Sequence, residues 1–118
     1  MMPYERLKAW RQCHGLVLEI YKLTRLFPPD ERFALTSQAR RAAFSAAANI
    51  AEGSMKKGPR EFRRFLDISI GSLGELRYII QLASDLQYVT PEHVEEIVSL
   101  HTEASKMTWL LYRSMGPR

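Results

Sequence analysis

Five polar residues of the second predicted helix fall in an order that places them on a single stripe. Gln38, Arg41, Ser45, Asn49 and Glu52 are separated by three, four, four and three residues, and positions with this spacing share one face of a helix. Carboxylate, guanidinium and amide groups on one face can form a binding or catalytic pocket, or a hydrogen-bonded network that fixes how two helices pack. The third predicted helix offers matching partners, which are Arg64, Ser72 and Glu75.

The structural interpretation of this stripe is a polar network, buried or half-buried, between the second and third helices. Small alanines beside the stripe, such as Ala42 and Ala46, would let the two helices approach closely. An enzyme pocket built from Glu52, Glu75, Arg41 and Asn49 is the competing interpretation. We predict the structural role.

A second cluster of residues is basic. Lys56 and Lys57 lie on a loop flanked by glycines, and Arg60 and Arg63 follow at the start of the next predicted helix. Cationic side chains bind phosphate groups, and the N-terminus of a helix favours anions. Together with Arg40, these residues are predicted to contact the backbone of RNA or DNA without reading its sequence. The alternative is a solvated basic turn.

Residues that could support catalysis or metal binding are poorly placed. None of the three histidines follows a glutamate by three residues, as a di-iron bundle requires. His93 and His101 would lie about 12 Å apart along a helix, too far to share an ion. Cys13 and His14 are adjacent and would point about 100° apart. We therefore predict no catalytic residue, no metal, no cofactor and no enzymatic activity.

The apolar residues recur at helical spacing and predict four amphipathic helices that carry these residues. Pro28-Pro29 ends the first helix, because proline lacks a backbone donor. Thr36 or Ser37 is predicted to cap the second helix, Gly53 to end it in a left-handed conformation, and Thr90 to cap the fourth. The pattern predicts an all-α, antiparallel four-helix bundle as a single domain over residues 1–118, with helices at roughly 4–27, 36–53, 59–87 and 91–115.

Composition agrees with one compact domain. The chain has 118 residues, of which 46% are hydrophobic and 25% are charged, as in ordinary globular proteins. No apolar run approaches the ~20 residues of a membrane span, and the first residues lack a signal-peptide pattern, so we expect a cytoplasmic protein that does not enter a membrane. The net charge is +4, and the stretch 40–64 carries seven basic against two acidic residues.

Several apolar residues lie beside the main stripes of their helices. Leu16 and Leu23 broaden the first helix, and Leu100, Met107 and Leu110 lie off the stripe of the fourth. They indicate either contacts between subunits or a wider core.

A signature of residues then points to a known family. It includes Phe27-Pro28, Arg40-Arg41-Ala42, Asn49-Ile50-Ala51-Glu52-Gly53, Arg64-Phe65-Leu66 and Gly71-Ser72-Leu73. With these residues the chain resembles the bacterial rRNA intervening-sequence protein family, also called four helix bundle proteins, over nearly its whole length. The resemblance implies a left-handed up-down-up-down bundle, a cyclic homopentamer, no known enzymatic activity and a suspected role in nucleic-acid binding.

Two functions are therefore expected. The first is a non-enzymatic, oligomeric bundle that binds RNA or DNA through its basic surface. The alternative is a protein–protein interaction scaffold that partners another encoded protein, and it is favoured by the apparent lack of aromatic residues in the basic cluster.

Overall fold

The structure is a computed structural model that describes residues 1–116. It has four α-helices, as predicted, and the all-α bundle is confirmed; the handedness stays a prediction. Within the described residues there is no β-strand. The helices are α1 (Lys8–Thr24), α2 (Leu35–Ser54), α3 (Pro59–Asp85) and α4 (Pro91–Ser114), with 3₁₀ turns at Pro3–Arg6 and Pro29–Glu31.

The four helices contact one another in cyclic order, so that α1 packs on α2 and α4, and α3 packs on the same two helices. The α2–α3 contact is the most extensive of these. Alanines of α2, such as Ala39, Ala43 and Ala46, are fully buried against larger side chains of α3, such as Leu66 and Leu76. Small side chains on α2 therefore set the close approach of these two helices.

The first helix is shorter than predicted. Leu7 has extended backbone angles and separates the 3₁₀ turn from α1. At the other end, the amides of Leu26 and Phe27 bond to carbonyls three residues back, which is a 3₁₀-type turn. Both ends keep the apolar spacing of a helix, which explains why the sequence pattern extended the helix over residues 4–27.

The predicted cap of α2 was wrong. Neither Thr36 nor Ser37 caps the helix, because α2 begins at Leu35 and Ala34 is its N-cap residue. The carboxylate of Glu31, in the preceding turn, accepts the Leu35 amide at 3.2 Å and also the Tyr88 hydroxyl at 2.7 Å. The capping prediction for α4 is confirmed, since Thr90 Oγ1 accepts the His93 amide at 3.2 Å.

Two glycines at the turn between α2 and α3 have different roles. Gly53 does not end α2 in a left-handed conformation; it lies inside the helix and is buried. A Cβ atom there would lie 2.8 Å from both Phe62 Cδ1 and Phe65 Cβ, so close helix packing explains this glycine. Gly58, just before α3, has φ of 85° and ψ of 159°, a conformation that favours glycine.

None of the helices in residues 1–116 combines the length and the apolar character needed to cross a membrane.

Candidate nucleic-acid interface

The bundle is polarised along its axis. Because the helices are antiparallel, α1 and α3 begin, and α2 and α4 end, at the same end of the molecule. When each helix is divided at its middle, the described chain carries ten basic and five acidic side chains at this end, and six basic and eight acidic ones at the opposite end. We call the first of these the basic end. Its charged residues are Arg6, Lys8, Arg11, Lys56, Lys57, Arg60, Arg63, Arg64, Lys106 and Arg113, with Glu5, Glu52, Glu61, Asp67 and Glu103.

The turn between α2 and α3 and the first residues of α3 present three exposed cations. Lys56, Lys57 and Arg60 are all exposed, and none forms a salt bridge with a carboxylate of the described chain. Lys56 Nζ lies 5.3 Å from the centre of the Phe65 ring, within the range of a cation–π contact. The turn therefore offers positive charge that the described fold does not neutralise.

Arg63 is held differently from the exposed cations. Its guanidinium carbon lies 4.6 Å from the centre of the Tyr112 ring on α4. Its Nε atom is buried and has no hydrogen-bond partner among the described residues. A buried donor without a partner costs free energy, and the donors that an anion could reach are those on the terminal nitrogens of the guanidinium.

A groove of about 670 Å³ opens beside these residues. It contains one neutralised pair, because Arg64 donates to Glu61 at 3.1 Å. The hydrogen bond from Arg64 is the main reason that the pKa of Glu61 lies below its usual value. The lining residues are Arg60, Glu61, Arg63, Arg64, Asp67 and Tyr112.

Arg40 does not belong to this surface, contrary to the sequence-based grouping. It lies fourteen residues before the end of α2, which is about 21 Å along the helix. Its Nε donates to Thr24 Oγ1 at 2.9 Å, and its guanidinium lies over the Tyr21 ring. The grouping came from the net charge of the stretch 40–64, which does not give the position of a residue along the bundle axis.

The basic end also includes aromatic residues that the sequence analysis missed. Phe65 and Tyr112 contact three of its cations, which are Lys56, Arg63 and Arg64. Tyr112 fits the apolar spacing of α4, and this spacing alone favours a place in the core. The signal that could have identified it is its place in the last turn of α4, which an antiparallel bundle brings beside the first turn of α3.

The predicted polar stripe forms two small groups of hydrogen bonds. The Ser45 and Ser72 hydroxyls share a bond of 2.7 Å, and Asn49 Nδ2 donates to Ser45 Oγ at 3.1 Å and to the Ser45 carbonyl at 2.9 Å. Separately, Gln38 donates to Glu75, and both of these residues are exposed. The two groups join α2 to α3 at two levels of the bundle.

Three predicted members of the network lie outside it. Arg41 and Glu52 are exposed and form no side-chain hydrogen bond to another described residue, and Arg64 bonds to Glu61 on its own helix. The helical spacing places Arg41 and Glu52 on the same face of α2 as Ser45 and Asn49, but their long side chains are exposed to solvent. Ser69 was missed by the sequence analysis; it is fully buried and donates to the Ala46 carbonyl at 2.8 Å.

Nucleophilic chemistry finds no support at Cys13. The Thr108 hydroxyl donates to the Ala104 carbonyl at 2.8 Å, so the Cys13 thiol is the donor in its 3.5 Å contact with Thr108. Burial raises the pKa of Cys13 to about 11, and a thiol is a weak nucleophile compared with its thiolate. In the described part of the chain, histidine, cysteine, aspartate and glutamate side chains form no group of three that could hold a metal ion.

Comparison with known proteins gives the family. A family model described as 23S rRNA-intervening sequence protein matches residues 5–109. The chain belongs to this family. The resemblance inferred from the sequence signature is therefore confirmed. A search of curated proteins finds no match.

The match to the 23S rRNA-intervening sequence protein family includes Lys56, Lys57, Arg60 and Arg63 of the basic end, and ends before Tyr112. A solved structure is also similar: a crystal structure of a protein with unknown function from the S23 ribosomal protein family of Bacteroides thetaiotaomicron. It is 23% identical, with a TM-score of 0.81, over 89% of this chain and 95% of that chain. This similarity shows the shared fold.

Proposed function

We propose that this protein is a non-enzymatic, oligomeric bundle that binds the backbone of RNA or DNA through its basic end. The observation that carries the proposal is the set of four cations without a salt-bridge partner in the described chain, Lys56, Lys57, Arg60 and Arg63. Phosphate groups are the anions that such a set binds, and their release of counterions drives the association. The role requires a cytoplasmic location, where both nucleic acids are present.

The arrangement favours contacts with phosphate rather than with base edges. The cations come from a turn and from the first turns of α3, and α3 itself packs against α2 and α4 along its length. Within residues 1–116, therefore, no helix projects from the bundle to enter a major groove, as a recognition helix does. We expect binding that depends on shape and charge, with little preference for sequence.

The aromatic contacts favour binding by holding cations in place. The Arg63 guanidinium lies over Tyr112, and Lys56 lies over Phe65. A side chain that is already ordered loses less conformational entropy when it binds a phosphate. This finding also weakens the argument that the basic cluster lacks aromatic residues, which had favoured the scaffold alternative.

The experiment is a titration of fluorescently labelled duplex DNA and of structured RNA at about 50 and about 200 mM salt. If four cations contact four phosphates of a duplex, the logarithm of the affinity falls with the logarithm of salt with a slope of about −3.6, which is roughly a 100-fold loss over this range. The variant Lys56→Glu/Lys57→Glu should bind more weakly at both salt concentrations, and its slope should be about half as steep.

The matched control is Arg25→Glu/Arg77→Glu, which changes the net charge equally at the opposite end of the bundle. This variant should retain most of the affinity. Equal losses in the two variants would mean that only net charge matters, and the basic end would not be the binding surface. Absence of binding by an intact wild-type protein would also contradict the proposal.

We further propose that the chain assembles as a homo-oligomer, and the family resemblance suggests a cyclic pentamer. Support comes from two exposed leucines in a groove between the end of α1 and α4, where Leu26 is 50% and Leu100 is 38% exposed. Leu16 and Leu23, in contrast, are buried in the core of one chain. Light scattering should give the mass of a pentamer for the wild type and a smaller mass for Leu26→Glu/Leu100→Glu; Leu86→Glu, on an exposed leucine elsewhere, is the control.

One observation favours the protein scaffold as a second candidate. Ile68 and Tyr78 are 45% and 65% exposed on α3, and Gly71 and Gly74, between them in the chain, are exposed with open space around them. Such a surface would let a partner helix approach closely. If the wild-type oligomer binds no nucleic acid, a protein partner whose binding is lost in Ile68→Glu would support this second function.

A further inference from the structure

A cavity distant from the basic end combines arginines with exposed aromatic rings. It has a volume of about 500 Å³ and lies between α1, the turn before α2 and the first half of α2. This volume is in the range of pockets that hold small ligands. The side chains that matter are Arg32, Arg40 and Arg41, with Tyr21, Phe33 and Phe44.

The arginines give the cavity a positive charge. None of the described residues that line it is acidic, and none of its three arginines forms a salt bridge with a carboxylate of the described chain. A ligand with negative charge is therefore favoured over a neutral or cationic one.

Arg40 is held ready for such a ligand. Its Nε donates to Thr24 Oγ1 at 2.9 Å, one terminal nitrogen reaches the Tyr21 carbonyl at 3.4 Å, and the guanidinium lies 4.5 Å from the Tyr21 ring centre. Thr24 is itself buried and donates to the Ile20 carbonyl. A guanidinium has five N–H donors, so donors are left for an anion after these contacts.

The aromatic rings offer flat apolar faces beside this charge. Phe33 is 87% and Phe44 is 62% exposed. Arg32 covers one face of Phe33, whereas no cation lies over Phe44 among the described contacts. Exposed aromatic rings next to cations are the arrangement by which proteins bind unpaired bases, with stacking on the ring and charge on the phosphate.

We propose that this cavity binds a nucleotide unit of single-stranded nucleic acid, with a base stacked on Phe44 and its phosphate at Arg40 and Arg41. An acidic peptide would satisfy the arginines but would leave the ring faces without a flat partner. A duplex would satisfy the arginines too, but its base faces are already stacked inside the helix. The ligand class rests on the proposed nucleic-acid function; the location does not.

This site and the basic end are independent surfaces. The cavity lies on the α1–α2 side of the bundle, whereas the groove with Arg63 and Tyr112 lies on the α3–α4 side. In the cyclic order of the helices these two sides are opposite. Variants of one site should therefore leave the other intact, which allows the two proposals to be tested separately.

The experiment compares two labelled strands of about eight nucleotides by fluorescence anisotropy at about 50 mM salt. One is oligothymidylate, and the other has the same backbone and charge with abasic sites. Stacking contributes about 1–3 kcal/mol per base, so the wild type should bind oligothymidylate at least about fivefold more tightly. Phe44→Ala should remove this preference, and Tyr78→Ala, which removes an exposed ring on α3, should keep it.

Two further variants separate charge from stacking. Arg40→Gln should weaken the binding of both strands, because a phosphate contact is lost. Lys56→Glu/Lys57→Glu should keep the preference for bases, because the turn is remote from the cavity. Circular dichroism should show unchanged melting for Phe44→Ala, since exposed side chains contribute little to stability.

The outcomes distinguish this proposal from the proposed function. Equal binding of the two strands by the wild type, an unchanged preference in Phe44→Ala, or equally strong competition by an oligoglutamate peptide would overturn the nucleotide site. If one of these results were found and duplex binding still depended on Lys56 and Lys57, only the proposed function of the basic end would be supported. If the preference for bases required Phe44 while duplex binding did not depend on Lys56 and Lys57, only the proposed nucleotide site would be supported. Binding of neither strand and no duplex would overturn both.

Discussion

The close packing of α2 and α3 near the basic end depends on the missing side chain of Gly53. A Cβ atom at this position would lie 2.8 Å from Phe62 Cδ1 and from Phe65 Cβ. Carbon atoms in contact prefer a separation of about 3.5–4.0 Å, so Gly53→Ala forces a displacement of roughly 0.7 Å or more. The Phe62 ring can rotate, but the Cβ atom of Phe65 moves only with the backbone of α3. The substitution should therefore separate the two helices at the basic end.

The magnitude is the difference between two effects. Overpacking a well-packed core costs about 1–3 kcal/mol, whereas replacing glycine by alanine inside a helix gains up to about 1 kcal/mol. We expect Gly53→Ala to lower the free energy of unfolding by about 1–2 kcal/mol. Gly15→Ala is the matched control, because Gly15 lies inside α1 and a Cβ atom there meets nothing within 4 Å. It should raise the free energy of unfolding by about 0.5–1 kcal/mol.

Urea denaturation followed by far-ultraviolet circular dichroism measures both variants. The two midpoints should shift in opposite directions from that of the wild type, with unchanged slopes. A Gly53→Ala variant at least as stable as the wild type would refute the packing argument. A destabilised Gly15→Ala variant would refute the control, and would indicate that α1 packs against something at Gly15 outside the single chain.

Three other predictions concern single side chains. Asn49→Ala should lower the free energy of unfolding by about 1 kcal/mol, because it removes two hydrogen bonds to Ser45. Glu75→Ala should change the free energy of unfolding little, because the Glu75 side chain is exposed. Urea denaturation of the two variants checks both expectations. Burial lowers the pKa of His101, so the unfolded state binds more protons than the folded state. The free energy of unfolding should therefore fall as pH drops from about 7 to 5, by at most about 1.4 kcal/mol per pH unit for one proton. The variant His101→Gln should have a flatter profile of unfolding free energy against pH. Cys13, with its pKa raised to about 11, should react with a thiol reagent at pH near 8 only after denaturation, and reaction in the native protein at the unfolded rate would contradict its burial.

The elements that could be predicted from the sequence are those with local signals. Thr90-Pro91 begins α4 because the cap, the proline and the first amides are within four residues of one another. The start of α2 could not be found in this way. Its first amide is bonded by Glu31, a residue of the preceding turn, and that carboxylate also accepts the hydroxyl of Tyr88, which is far along the chain.

In the candidate site, too, the groupings that could be predicted are those of residues close together in the sequence. Lys56, Lys57, Arg60 and Arg63 lie within eight residues, so one stretch of sequence could predict their grouping. The placement of Tyr112 over Arg63 could not be predicted in the same way, because it depends on the register of α4 against α3. The spacing of residues predicts the face of α2 that Arg41 and Glu52 share with Asn49. It does not predict whether side chains of different lengths contact α3.

Arg40 shows why position along the bundle matters more than net charge. It lies in a basic stretch of sequence, yet in the structure it is separated from Lys56 by most of α2. Its guanidinium is fixed by Thr24 and Tyr21 of α1, and the same contact draws an aromatic ring beside it. The helix pairing therefore turns one run of basic residues into two separate surfaces. Of these, the exposed turn at Lys56 suits a phosphate backbone, and the cavity at Arg40 suits a phosphate that carries an unpaired base.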